Sequence, residues 1–132
     1  MSKHLFESDE KKFARCYQDA LGYHRRAQIF SDQQQAVSLV FNVAAIAVES
    51  YLIAICAHYA TMPFNHNYAS LLSSVEEVMP LEPSLSASIL ALDTIFGICS
   101  VDDYHHGTPG VSDKESILTI CNRLCALTES LA

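Results

Sequence analysis

The stretch "AVSLVFNVAAIAVESYLIAICA", residues 36–57, decides the fold, because only Ser38, Asn42, Glu49 and Ser50 interrupt its apolar side chains. A run of this length would also suit a transmembrane helix. However, no Lys or Arg flanks either end, and Glu49 lies near the middle, where a bilayer strongly disfavours an ion. We therefore predict a central helix over residues 32–61, buried by its neighbours or by a second subunit rather than by lipid.

Apolar residues recur at helical spacing in four further segments, namely 9–29, 67–79, 83–99 and a last segment that ends near residue 130. Capping signals mark three of the helix starts. Ser31 stands three residues before Gln34 and Ser112 three before Glu115, as in a capping box, and Asn65 or Asn67 can cap the third helix. The sequence therefore predicts five helices with short connections.

No segment alternates polar and apolar residues as a strand does, and no linker divides the chain. We predict an all-α fold, a single domain over residues 1–132 with 1–8 as a flexible arm. Short connections favour antiparallel neighbours, so an up-and-down four-helix bundle with an additional shorter helix is the simplest topology.

The charge of the chain is unevenly distributed. The net charge is −7, six of the eight Lys and Arg residues lie in the first 26 positions, and none occurs between residues 27 and 113. A DNA-binding surface needs clustered Lys and Arg side chains to displace counterions from the DNA, so broad DNA binding is excluded. The start of the sequence lacks the apolar region of a secretory signal, and the five cysteines form no C-x-x-C pair. We expect a cytoplasmic protein with reduced cysteines.

Cys121 and Cys125 stand four residues apart on the last predicted helix. This spacing could aim two thiols at a metal, but no second pair accompanies them. We therefore expect them to be packing residues.

Three segments carry a family resemblance: "ARCYQDALGYHRRAQ" (14–28), "AAIAVESYLIAICAHYATMPFNHNYASLL" (44–72) and "YHHGTPGVSDKESILTICNRLCALTESL" (104–131). With five helices in this order, they resemble the HEPN family, small helical domains of prokaryotes and higher eukaryotes associated with nucleotide and RNA biology. The resemblance implies a four-helix bundle with a shorter extra helix, commonly a homodimer. It also implies one of three roles: an RNase, a toxin neutralised by a nucleotidyltransferase-type partner, or an inactive module that binds nucleotides or proteins.

The RNase members of that family carry an arginine followed four to six residues later by a histidine. This chain departs from that pattern, because no arginine lies between Arg26 and either His105 or His106, and no histidine follows Arg123. The resemblance therefore favours a non-catalytic member.

The stretch "DDYHHG", residues 102–107, is the most reactive in composition, with Asp102, Asp103, Tyr104, His105 and His106. Two or three of the four side chains other than Tyr104 could bind Zn²⁺ or Ni²⁺ weakly, and a histidine beside a carboxylate could act as a general acid or base. The stretch itself has no positive group to stabilise a developing phosphorane, so Arg25, Arg26 or Arg123 would have to approach it. We favour a polar connecting loop, without metal or cofactor.

Three further polar residues fall in predicted helices or beside them. His24 lies in the apolar arc of the first helix, where we expect a hydrogen-bonded interior histidine level with Ser38. We expect Glu49 to form an ion pair near Lys12 at the edge of the bundle, or to act as a functional carboxylate. His66, in the loop before the third helix, serves either as a structural hydrogen-bond donor or in ligand binding.

The leading hypothesis is a non-catalytic HEPN-like binding or interaction module, dimeric through its second or fourth helix. Its candidate ligand-binding residues are Arg25, Arg26, Glu49, His66, Tyr104 and Arg123, and its candidate partners are a nucleotide, RNA or a nucleotidyltransferase-type protein. Two alternatives stay open. One is a divergent RNase or nucleotide-handling enzyme that uses His105 or His106, with Asp102 or Asp103 nearby. The other is a metal-binding helical bundle.

Overall fold

The protein is an all-helical bundle. Its structure, a computed structural model, describes residues 7–63, 65–96 and 109–132, with residues 94–96 described by their backbone alone. The helices are α1 (Asp9–Asp32), α2 (Val37–His58), α3 (Tyr68–Val78), α4 (Pro83–Phe96) and α5 (Val111–Leu131). No strand occurs in these described segments. For the described residues, the prediction of an all-α fold with five helices is confirmed. The end predicted for the fourth helix, at residue 99, lies outside them.

Helix α2 is the centre of the bundle and packs against α1, α3 and α5. Tyr51, Phe41, Leu52 and Ile55 of this helix are fully buried. Within the described residues, α2 is the one helix long and apolar enough to cross a membrane, and 61% of its most apolar window is buried inside the bundle. Since interior packing accounts for most of that apolar surface, the prediction of a central core helix is confirmed.

The directions of the helices depart from the predicted up-and-down order. Helices α2 and α5 run the same way, because the thiol of Cys121 donates to the carbonyl of Ala44 at 3.5 Å, while Leu131, ten residues on, packs beside Ala54 and Ala57. The first residue of α3 also lies beside the middle of α2, where the Tyr68 hydroxyl donates to the Ala45 carbonyl at 3.1 Å.

The connection between α2 and α3 explains this departure. Glu77, near the end of α3, lies close enough to Cys56 to contribute to its raised pKa, so α3 follows α2 in the same direction. The chain must therefore return along α2 before α3 begins, and the nine positions from Tyr59 to Asn67 are enough to span roughly 30 Å when extended. Helix α4 then runs back along α3, since Asp93 contacts the start of α3 and Ser86 donates to Glu76 at 2.9 Å.

The turn between α1 and α2 lies later in the chain than predicted. Helix α1 continues through Ser31 and closes with a Schellman motif, in which the Gln35 amide donates to the Phe30 carbonyl at 2.9 Å and Gln34 has φ of 58°. The predicted capping box at Ser31 is wrong, because Ser31 is still inside α1. Helix α2 begins after Ala36, which makes no side-chain cap.

The other predicted caps have mixed outcomes. The Asn67 side chain accepts a hydrogen bond from the Ser70 amide at 2.7 Å, which confirms Asn67 as the cap of α3. The predicted cap at Ser112 is wrong, because Gly110 is the N-cap of α5. There the Asp113 carboxylate accepts a hydrogen bond from the Gly110 amide at 2.8 Å, so the helix begins two residues before the predicted position.

Candidate functional site

The most reactive candidates from the sequence, Asp102, Asp103, Tyr104, His105 and His106, lie outside the described residues. The metal-binding and RNase hypotheses that depend on them stay predictions. In the part of the chain that the structure describes, no three His, Cys, Asp or Glu side chains are close enough together to hold a metal ion.

Two predicted ligand-binding residues do meet. Nδ1 of His66, in the loop before α3, lies 3.1 Å from a carboxylate oxygen of Glu49 on α2, and the two side chains are 63% and 37% exposed. The expected pairing of Glu49 with Lys12 is wrong, because the later turn shifts the register of α1 against α2. Lys12 instead lies near Cys56, whose pKa its charge acts to lower. A contact between side chains as exposed as those of Glu49 and His66 contributes little to stability.

Beside this pair, Asp93 of α4 binds the start of α3. Its carboxylate accepts hydrogen bonds from the backbone amides of Tyr68 at 3.1 Å and Ala69 at 2.9 Å. These amides have no partner within their own helix, and a negative charge is favourable at a helix N-terminus. Sequence reasoning missed this contact, because Asp93 is separated from Tyr68 by 25 residues and carries no local signal. Asp93 therefore holds the start of α3 against α4, and the exposed Glu49–His66 contact joins the loop before α3 to α2.

A second polar cluster joins α1, α2 and α5. Nδ1 of His24 lies 2.7 Å from the Tyr51 hydroxyl, and Nε2 lies 3.0 Å from Oδ1 of Asn122. Because Oδ1 is an acceptor, Nε2 carries the proton, and the Tyr51 hydroxyl donates to Nδ1. Burial lowers the pKa of His24, and the hydrogen bond to Asn122 partly opposes that shift.

The expectation of a hydrogen-bonded interior histidine is confirmed, although its partners are Tyr51 and Asn122 rather than Ser38. Burial, followed by the Cys125 thiol, raises the pKa of Tyr51. Both imidazole nitrogens of His24 are engaged, so this cluster suits a role in holding three helices in register better than proton transfer.

The buried cysteines are poorly suited to chemistry. Burial raises the pKa of Cys121 to about 12, and that of Cys56 to about 11. Thiolates are the reactive and metal-binding form of cysteine, so these side chains remain thiols near neutral pH. The bond from Cys121 to the Ala44 carbonyl also turns its sulfur into the core. These observations favour packing roles for Cys56 and Cys121, as the sequence predicted for Cys121.

The predicted arginines lie on different surfaces. Arg123 pairs with Glu82 and has Ser84 Oγ 3.4 Å from its guanidinium, and it lines a cavity of about 510 Å³ between α4 and α5. Arg26 lies on α1, with its guanidinium 5.9 Å from the ring centroid of Tyr23, and lines a separate depression. Arg25 is exposed on the same helix. The described residues therefore do not bring Arg26 and Arg123 to one cavity.

The outer face of α2 was not anticipated in detail from the sequence. Leu39, Ile46 and Ile53 follow one another at seven-residue spacing, which places them on one line along the helix. Leu39 is 39% exposed, Ile46 is 44% exposed, and Ile53 is half-buried. We call these three residues the α2 outer seam. Its signal was hidden in the sequence, because a helix that is apolar on nearly all sides does not show which side is left uncovered.

Comparisons of the chain with protein-family models, with curated proteins and with solved structures found no significant match.

Proposed function

We propose that this protein is a non-catalytic HEPN-like binding module that acts as a homodimer, with the α2 outer seam as its dimer interface. The observation that carries the proposal is the exposure of Leu39 and Ile46 on the most apolar helix of the bundle. Large exposed aliphatic side chains in a row are characteristic of protein–protein contacts.

Charge supports the choice of this face. The chain has a net charge of −7, so two copies repel each other over most of their surface. Glu49 is the one Asp, Glu, Lys or Arg residue in α2, and it is paired with His66. A two-fold axis across the seam would therefore bring together two helix faces with little charge and would repeat the same contacts in both directions.

The HEPN-like part of the proposal rests on the sequence resemblance together with the five-helix order, which agrees with what that resemblance implies. The missing arginine-to-histidine spacing supports a binding role over RNase activity. In this proposal the dimer is cytoplasmic and presents its remaining surfaces to a nucleotide, RNA or a nucleotidyltransferase-type partner, as in a toxin–antitoxin pair.

Sedimentation at tens of micromolar tests the dimer. We expect the parent chain to sediment as a dimer and Ile46→Glu to sediment as a folded monomer, because two buried glutamates would face each other across the axis. Ile29→Glu is the matched control, since Ile29 lies on α1 and is 45% exposed, almost the same as Ile46 at 44%. A monomeric parent chain, or a dimer that survives Ile46→Glu, would show that the seam is not the interface.

A further inference from the structure

A groove of about 620 Å³ lies where the start of α1 meets the ends of α2 and α5. Three rings lie next to one another along it. The ring centroids of Phe13 and Tyr17 are 5.7 Å apart with an angle of 26° between the planes, and those of Phe13 and His58 are 5.4 Å apart with an angle of 60°. Ala57 and Leu131 complete an apolar floor. The lining of the groove therefore combines aromatic and aliphatic side chains.

The charged groups of the groove are negative. Among the described residues that line it, Asp9 and Glu10 are acidic, and none is Lys or Arg. Glu129 also lies nearby, since burial, the Cys125 thiol and the Glu129 carboxylate together raise the pKa of Tyr17. Arg15, one turn away on α1, is held by two hydrogen bonds to Glu7 at 3.0 and 2.9 Å. The charged side chains among these lining residues are therefore both carboxylates, and Lys11 and Lys12 follow them directly in α1 without lining the groove.

We propose that this groove binds a small organic cation, specifically an alkylated ammonium. Aromatic faces attract cations, and a trialkylated nitrogen combines a positive charge with methyl groups that can cover apolar walls. An anion would be repelled by Asp9 and Glu10. A bare metal ion would gain nothing from the rings, because hard cations require several oxygen ligands.

The size of the groove favours a free small molecule over a peptide. Pockets for such ligands occupy about 300–1,000 Å³, and the volume here lies within that range. The ammonium methyl groups would lie against Tyr17 and His58, and the charge would face Asp9 and Glu10. This site lies at the start of α1 and the ends of α2 and α5, whereas the exposed seam residues Leu39 and Ile46 do not line it, so its test does not depend on the proposed dimer.

Choline and 3,3-dimethylbutan-1-ol provide a matched pair of probes, because they have the same shape and differ by replacement of the charged nitrogen with carbon. We expect titration of the ¹⁵N-labelled chain with choline to give saturable chemical-shift changes at the amides of the groove. The neutral alcohol should bind at least about fivefold more weakly. Equal affinities for the two probes, or no saturable change up to about 50 mM choline, would overturn the proposal.

A charge-matched pair of variants localises the effect. Asp9→Asn with Glu10→Gln removes both carboxylates of the groove and should weaken choline binding about tenfold. Asp19→Asn with Glu115→Gln removes the same charge from exposed positions that do not line the groove, and should leave choline affinity within about twofold. Thermal unfolding of both double variants checks that each is folded. Equal losses in the two variants would attribute the binding to net charge and contradict the site.

Discussion

The Tyr51 hydroxyl, on a side chain that is completely buried in α2, donates to Nδ1 of His24 on α1 across 2.7 Å. Nε2 of the same imidazole is 3.0 Å from Asn122 on α5, so a neutral histidine links three helices. A buried hydroxyl must find a partner, and no buried side-chain polar atom in the described residues lacks one.

Tyr51→Phe is expected to destabilise the protein by about 1–2 kcal/mol, because it removes the hydroxyl and leaves Nδ1 of His24 without its donor. The free energy of unfolding, measured by urea denaturation, tests this. Tyr59→Phe is the control, since Tyr59 is 38% exposed and should change stability by no more than about 0.5 kcal/mol. Equal effects of the two substitutions would contradict a structural role for the Tyr51–His24 bond.

Stability should also fall as the pH is lowered through the range in which His24 titrates. Burial lowers the pKa of His24 in the folded protein, so the unfolded chain binds the proton more readily. The neutral His24 therefore contributes fully to stability above the pKa of the unfolded chain, about 6.5. That contribution is lost as the pH falls from there towards the lower pKa of the folded protein. The groups that face the imidazole, Tyr51 from α2 and Asn122 from α5, are uncharged and offer no compensating negative charge.

His24→Gln isolates this effect from the other histidines. Glutamine can still hydrogen-bond to Tyr51 and Asn122 but does not titrate. We expect the urea midpoint of the variant to change less than that of the parent between pH 7.5 and 5.5. Parallel pH profiles of the urea midpoint in the parent and the variant would show that His24 does not contribute to the pH dependence of stability.

Asp93→Asn is expected to cost about 1 kcal/mol, because an amide oxygen can accept from one of the two backbone amides at the start of α3, whereas the NH₂ group cannot accept from the other. Urea denaturation measures the loss, and hydrogen exchange should show α3 losing more protection than α5. Asp19→Asn, in an exposed position within α1, is the control with the same chemical change. If the two variants were equally stable, the hydrogen bonds of Asp93 would not contribute to the free energy of unfolding.

Ala60→Gly is expected to stabilise the protein by about 0.5–1 kcal/mol. Ala60 has φ of 57°, and the Thr61 amide donates to the Cys56 carbonyl at 2.9 Å, as in the Schellman motif that ends α1. Glycine adopts this conformation without the steric cost of a Cβ, although it also gains freedom in the unfolded chain. Ala87→Gly, on an exposed face within α4, should have the opposite sign and lower the melting temperature. A decrease for both would contradict the assigned strain.

The helices and the cap at Asn67 were predictable, because both depend on residues within a few positions of each other. The 3.6-residue period located each helix start and end that the structure describes to within five residues. The interior position of His24 followed from the same periodicity. The partners of His24 and Glu49 could not be predicted in this way. Gln34 closes the end of α1 in a conformation usually taken by glycine, and this moves the turn to a later position and shifts the register of α1 against α2.

The sequence by itself determined that α2 is the core of a helical bundle, because a helix with so little polar surface must be covered by other helices. Only the tertiary structure decided that α3 follows α2 in the same direction, that Asp93 binds the start of α3, and that Leu39 and Ile46 remain exposed. These features depend on how separate helices meet. Helical periodicity places residues on the faces of one helix, whereas the covering of each face depends on neighbours that lie far away in the chain.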